Sequence, residues 1–347
     1  MPADGTEDVA RTPGSGRRAR TAGVLAGLLA VAVAVPAGVH LIGSEAAPRP
    51  ARPRQDASGP LGAAEAVRRA KKTGELVEVT RSRTENVTVW AQPNGRLKAK
   101  VHSSAVRAKS GGAWKPIDTG LRRVRDGFAP KAVNGELVFS GGGDTSSTRL
   151  VRLTTEGHTM TVTWPGRLPA PVIDGPRALY ENVRPGIDLV MTAQDGGYAH
   201  VLVVKDRKAA ADPLLKKLDY RLASTSLAFR LDAASGALSA RDKKGREIAG
   251  AGSPLMWDSS GRAGTVGDTD RPGTGASAPT TRHPTLALPG LAGAEGARTS
   301  VAKAALADGV LSLKPDRALL DSPATRYPVF VDPSFKGHKH SWSHLYK

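Results

Sequence analysis

The stretch Tyr180–Lys205, reading YENVRPGIDLVMTAQDGGYAHVLVVK, decides the fold. Ile187, Leu189, Met191 and Ala193 fall on one face of an extended chain, and Asp188, Val190 and Thr192 on the other. That period of two is the mark of a β-strand. Asp195-Gly196 follows, a dipeptide suited to the two left-handed positions of a type I′ hairpin turn. The return strand carries Val201, Leu202, Val203 and Val204 without interruption, which predicts burial on both faces. At the near end, Arg184-Pro185-Gly186 makes a turn, because Pro185 fixes φ and Gly186 admits the left-handed region. Asp188 breaks the apolar pattern. A carboxylate beside a sheet core is either tied to a neighbouring turn or amide or belongs to a site, and buried polar groups are usually satisfied structurally. Asp188, Pro185, Gly186, Asp195 and Gly196 are therefore expected to be structural residues.

Working outward, the pattern of short strands continues. Leu76, Val77 and Val79, then Val87, Val89 and Ala91, lead into Pro93-Asn94-Gly95, a strong hairpin signal. Leu97, Ala99 and Val101 answer on one face while Arg96, Lys98, Lys100 and His102 take the other, which predicts a half-buried strand with a basic outer face. Further strands are expected near Val106–Trp114, Glu136–Ser140, Leu150–Leu153 and Thr159–Trp164, with a proline-rich crossing from Pro165 to Pro176. After a connector from Asp206 to Leu218, strands return at Leu227–Leu231, Leu238–Ala240, Arg246–Ala249 and Leu255–Asp258, and again at Val310–Leu313 and Tyr327–Asp332. The fold class is all-β, with antiparallel sandwich-like units. One unit is expected over 76–205 and a second over 206–258 with 298–347, separated by a disordered loop at 259–297 that is poor in core-forming residues.

The N-terminal region carries an address. Arg17, Arg18 and Arg20 precede an apolar run over residues 22–43, the pattern of a signal peptide or a signal-anchor helix that holds the protein to a membrane. Residues 44–62 alternate proline and arginine and are expected to form a disordered linker. A short helix is expected over 63–75, ended by Gly74. The protein is accordingly placed outside the cell, secreted or anchored in the cytoplasmic membrane with its C-terminal part outside.

Composition limits the chemistry. With Cys 0, the chain has no disulfide, thiol nucleophile or thiolate metal site. Ser140-Gly141-Gly142-Gly143 has neither the glycine two places before the serine that a nucleophile elbow requires nor the following lysine of a phosphate loop. His338, His340 and His344 form the sole histidine-rich tract, without nearby carboxylates. His102, His158 and His200 are isolated, and Glu181, Asp188 and Asp195 are expected to spread over turn, strand and tip. No catalytic residue, metal ligand or cofactor is predicted. The net charge of +18 points to anionic partners, either cell-wall polymers or acidic polysaccharide. Aromatics at 4% give little to stack on bases, so no specific nucleic-acid binding is expected. Trp90, Trp114 and Trp164 are the candidates for an aromatic sugar platform.

Several motifs recur together. Glu78-Val79 with Val89-Trp90-Ala91, Phe139-Ser140-Gly141-Gly142-Gly143, Trp164-Pro165-Gly166, Tyr180 with Pro185-Gly186-Ile187-Asp188-Leu189, and Tyr327-Pro328-Val329 with Val331-Asp332-Pro333 stand in this order. From about Ala63 onward the chain resembles the N-terminal β-rich region of large secreted actinobacterial proteins, those that continue into DNRLRE, LamG-like jelly-roll or RHS/YD-repeat modules. The resemblance implies a non-catalytic scaffold, adhesion or wall-association module, with no catalytic residues to carry over. Two further roles fit it: a carbohydrate- or wall-polymer-binding module, and the delivery region of an RHS-type polymorphic toxin. Such proteins usually run on past the point corresponding to Tyr346, so the chain is expected to be a truncated member.

Overall fold

The hairpin of Tyr180–Lys205 sits at the centre of the molecule because both of its faces find apolar partners. The computed structural model describes residues 59–145, 148–263, 283–332 and 335–337. The expected signal or anchor helix, most of the Pro/Arg linker and the histidine tract at 338–344 lie outside the described residues. Among those described, no helix is long and apolar enough to cross a membrane.

The protein is mostly β, and its sheets are antiparallel. In the larger sheet, Ile187–Gln194 pairs in unbroken register with Gly197–Val204, from Ile187 opposite Val204 to Gln194 opposite Gly197. Arg177–Arg184 lies on the outer side of this pair. On the inner side, Leu202–Val204 pairs with Val329–Val331, and Gly197–Tyr198 with Phe335–Lys336. A second sheet of eight strands runs in the order Lys303–Ala307, Val310–Lys314, Leu218–Ala223, His158–Trp164, Thr148–Thr155, Glu136–Phe139, Gly127–Ala132 and Asp118–Val124.

The two sheets share one core. Ile187, Leu189, Met191 and Ala193 pack there as their spacing predicts, with Tyr180, Leu202 and Val204 from the same sheet and Phe139, Leu153, Trp164 and Tyr220 from the other. Phe139 meets Tyr198 edge-on at 6.2 Å between ring centres, and the Tyr180 hydroxyl donates to the Ser140 carbonyl at 2.8 Å. The opposite face of the larger sheet carries a separate cluster. Leu179, Val190, Val201 and Val203 pack there with Trp257, Leu286 and Phe330. Two-sided burial is what the run Val201–Val204 requires.

Four expectations are corrected. First, the two β units are interleaved: Leu218–Ala223 and Val310–Lys314 extend the sheet begun by 118–164, and the described residues form one compact unit. Second, the described part of the expected disordered loop, 283–297, is a cover rather than a free tract. Its 3₁₀ turns Thr285–Ala287 and Pro289–Ala292 bring Leu286, Leu288 and Leu291 onto the second apolar face, and the Trp257 indole donates to the Gly290 carbonyl at 2.7 Å.

Third, the turn at Asp195-Gly196 has a positive φ at Gly196 (75°) only, a type II rather than a type I′ pattern. The Asp195 carboxylate is held by the Asn134 backbone N–H at 3.0 Å and the Asn134 side-chain amide at 3.1 Å. Left-handed pairs occur instead at Gly111-Gly112, Glu156-Gly157 and Asp308-Gly309. Fourth, Leu97–Val101 is exposed along its whole length, not half-buried. The helix Ala63–Thr73, ended by Gly74 at φ 74°, packs Ala66 and Ala70 with Val79 and Ala91, and so covers the neighbouring strands.

Candidate functional site

Two places gather polar chemistry. One is the environment of Asp188, which is fully buried. Its Oδ1 accepts the Asn182 backbone N–H at 2.8 Å and lies 2.8 Å from the Lys205 ammonium. Its Oδ2 accepts the Thr285 hydroxyl at 2.7 Å. Asn182 has a left-handed φ of 48°, where the pairing of Arg177–Arg184 with Ile187–Gln194 shifts register. Asp188 thus caps a bulge, binds the cation at the end of the return strand, and latches the 283–297 cover to the sheet. Beside it, His283 Nε2 lies 3.0 Å from Glu181 Oε1, and Arg177 donates to the Leu286 carbonyl at 2.8 Å. Thr285 donates to a carboxylate whose other oxygen is already taken up by the Asn182 amide and the Lys205 ammonium. The arrangement ties a bulge, a strand end and the cover to one buried carboxylate.

The same is true of Asp258, which is buried. It accepts from the backbone amides of Ser260, Arg298 and Arg326 at 3.0, 3.1 and 3.0 Å. Burial raises its pKa, but the hydrogen bonds from Ser260, Arg326 and Arg298 outweigh that and hold the carboxyl below its ordinary value. His200 lies in the core with Nε2 3.1 Å from the Tyr220 hydroxyl and its ring stacked on Tyr198 at 6.1 Å. Desolvation pushes its pKa down to about 3, so the ring is neutral. Burial raises both tyrosines.

The second place is open. A groove of about 440 Å³ runs across the Asp118–Val124, Gly127–Ala132, Glu136–Phe139 end of the eight-stranded sheet and under the hairpin Arg107–Ser110/Ala113–Pro116. Lys109, Arg122, Arg125, Lys131 and Arg152 line it, against Asp126 and Glu136. Arg152 lies 3.6 Å from Asp126, and Lys131 lies 3.7 Å from Asp118 outside the groove. Arg122 and Arg125 make no salt bridge among the described residues. The surplus of fixed cations over a concave surface makes the groove a local positive potential.

The three tryptophans part company. Trp164 is 1% exposed and packs on Tyr220 at 6.0 Å between centres, so it is core and no platform. Trp90 sits in the three-stranded sheet opposite Lys98. Trp114 pairs with Lys109, whose ammonium lies 5.4 Å over its ring, and this places Trp114 beside the groove. The hairpin Asp118–Val124/Gly127–Ala132, which builds most of the groove, escaped the strand pattern. Its signal was charge: residues 61–134 hold far more Lys and Arg than Asp and Glu. Among the described residues, no group of three His, Cys, Asp or Glu side chains is placed to hold a metal ion.

Comparison with family models, with curated proteins and with solved structures found no match.

Proposed function

We propose that the chain is the exported β-sandwich scaffold of a secreted actinobacterial protein and associates non-catalytically with anionic polymers of the cell wall. The observation that carries this reading is the basic groove of Lys109, Arg122, Arg125, Lys131 and Arg152. A groove with excess cations attracts a flexible polyanion through many weak contacts, each screened by salt. The resemblance of the chain to N-terminal regions of large secreted proteins, and the Arg-flanked apolar run at 22–43, support export.

Trp114 beside the groove favours a second reading, a sugar-binding module in which the indole stacks on a pyranose face. Binding of the full-length protein to purified actinobacterial cell wall separates the two. Retention at low salt that disappears near 1 M salt, where the Debye length is about 3 Å, and that is lost in the double variant Arg122→Glu/Arg125→Glu, is the expected result. Retention that survives high salt and is lost in Trp114→Ala would overturn the electrostatic reading in favour of the sugar one.

A further inference from the structure

The three-stranded sheet of Val77–Glu78, Val87–Ala91 and Leu97–Val101 is covered unevenly. The helix Ala63–Thr73 sets Ala66 and Ala70 against Val79 and Ala91, with Val77 and Val89 around them. Leu97–Val101 pairs residue for residue with Val87–Ala91, Leu97 opposite Ala91 and Val101 opposite Val87. Leu97, Ala99 and Val101 therefore continue the same apolar face. Yet Leu97 is 52% exposed and Val101 60%. The strand is last in its sheet, and nothing among the described residues pairs with its outer edge. Lys98 and Lys100 occupy the other face, opposite Trp90 and Thr88, with Arg96 and His102 at the two ends.

This edge has a specific chemistry. Two copies pairing edge to edge would bring lysines of one strand against lysines of the other, and like charges across a strand pair repel. A strand of opposite charge meets attraction at the same positions. We infer that the Leu97–Val101 edge receives an extended segment of another protein in which apolar and acidic residues alternate. The added strand continues the backbone ladder. Its apolar side chains cover Leu97, Ala99 and Val101, and its carboxylates face Lys98 and Lys100. Main-chain hydrogen bonds supply adhesion and the two faces supply selectivity, as in other cases of strand addition.

The test is fluorescence anisotropy of the full-length protein with a labelled synthetic peptide alternating Glu and Val, against a peptide of the same composition with the two residues in separate blocks. The alternating peptide binds at least about tenfold more tightly, a difference of about 1.4 kcal/mol. Leu97→Glu/Val101→Glu abolishes that preference while the melting temperature holds, since both side chains are exposed. Lys98→Glu/Lys100→Glu transfers the preference to a peptide alternating Lys and Val. Equal binding of the two acidic peptides reduces the edge to simple charge attraction and overturns the inference. So does self-association of the wild type that Leu97→Glu/Val101→Glu removes, which would make a second copy the occupant. Binding only to phosphatidylglycerol vesicles would assign the face to a membrane instead.

Discussion

The central hairpin and the three-stranded sheet near the N-terminus begin from the same pattern and end in opposite states. In both, alternating apolar residues build antiparallel strands. Around Gly197–Val204, each neighbouring position is taken: Ile187–Gln194 lies on one edge, Val329–Asp332 and Phe335–Gly337 on the other, the shared core beneath and the 283–297 cover above. Around Leu97–Val101, one edge and most of both faces stay open. A strand saturated on four sides is committed to stability, whereas a strand saturated on one has surface left for a partner. Helix length makes part of the difference. Ala63–Thr73 spans only 11 residues, and its buried Ala66 and Ala70 are too small to reach past the second strand.

The sharpest way to break this contrast is to truncate one residue from each region. Leu202→Ala, at 0% exposure, is expected to cost about 2–5 kcal/mol in denaturant unfolding, through lost transfer energy and the cavity left behind. Val101→Ala is expected to stay within about 0.5 kcal/mol. Equal costs would erase the distinction.

Asp188→Ala comes next, at about 3 kcal/mol, because it strands the Asn182 amide and the Thr285 hydroxyl and removes the partner of Lys205. The same variant frees the cover, so limited proteolysis should begin within residues 283–297 before global unfolding. Loss of wall binding with an unchanged melting temperature would instead make Asp188 part of a site.

The smallest effect concerns acid. His200, facing Tyr198 and Tyr220, has a folded pKa pushed down to about 3, against about 6.5 when unfolded. Below the unfolded value, the unfolded chain binds a proton that the folded core refuses. Stability is therefore full above about pH 6.5 and falls as pH drops, by up to about 1.4 kcal/mol per pH unit. Between about pH 6.5 and 5.5 the carboxylates remain ionised in both states, so the contribution of the His200 imidazole to this slope is read there. His200→Phe should flatten it in urea titrations run across that window, and an unchanged slope would place the titrating group elsewhere.

Legibility in the sequence followed locality. The hairpin of Tyr180–Lys205 could be read because its partners are its own neighbours. The turn at Asn94-Gly95 could be read because the left-handed φ of 86° is open to Gly95 by its own lack of a side chain. The hairpin Asp118–Val124/Gly127–Ala132 could not, since Arg122, Arg123 and Arg125 crowd out the apolar alternation and its far strand contains Pro130. It stands because a neighbouring strand carries it, with Phe128 opposite Phe139. The cover was hidden for a related reason. Leu286, Leu288 and Leu291 sit among glycines and prolines, and their burial depends on Val190, Val203 and Phe330 arriving from elsewhere in the chain. The groove was foreshadowed as charge in composition but not as a place, because its cations come from three strands of the sheet, the turn at Arg125 and a separate hairpin.

Interleaving of the two sheets also sets an order in time. Gly197–Val204 is closed on its second edge by Val329–Asp332 and Phe335–Gly337, and Leu218–Ala223 on its second edge by Val310–Lys314. During synthesis, more than a hundred residues must appear after Val204 before its final neighbour exists. Until then the row Val201–Val204 is an uncovered apolar strand, the kind of segment that pairs with whatever edge it meets first. Pairing at such long range favours slow folding. Until the last strands emerge, the centre of the molecule is the part most exposed to wrong pairing.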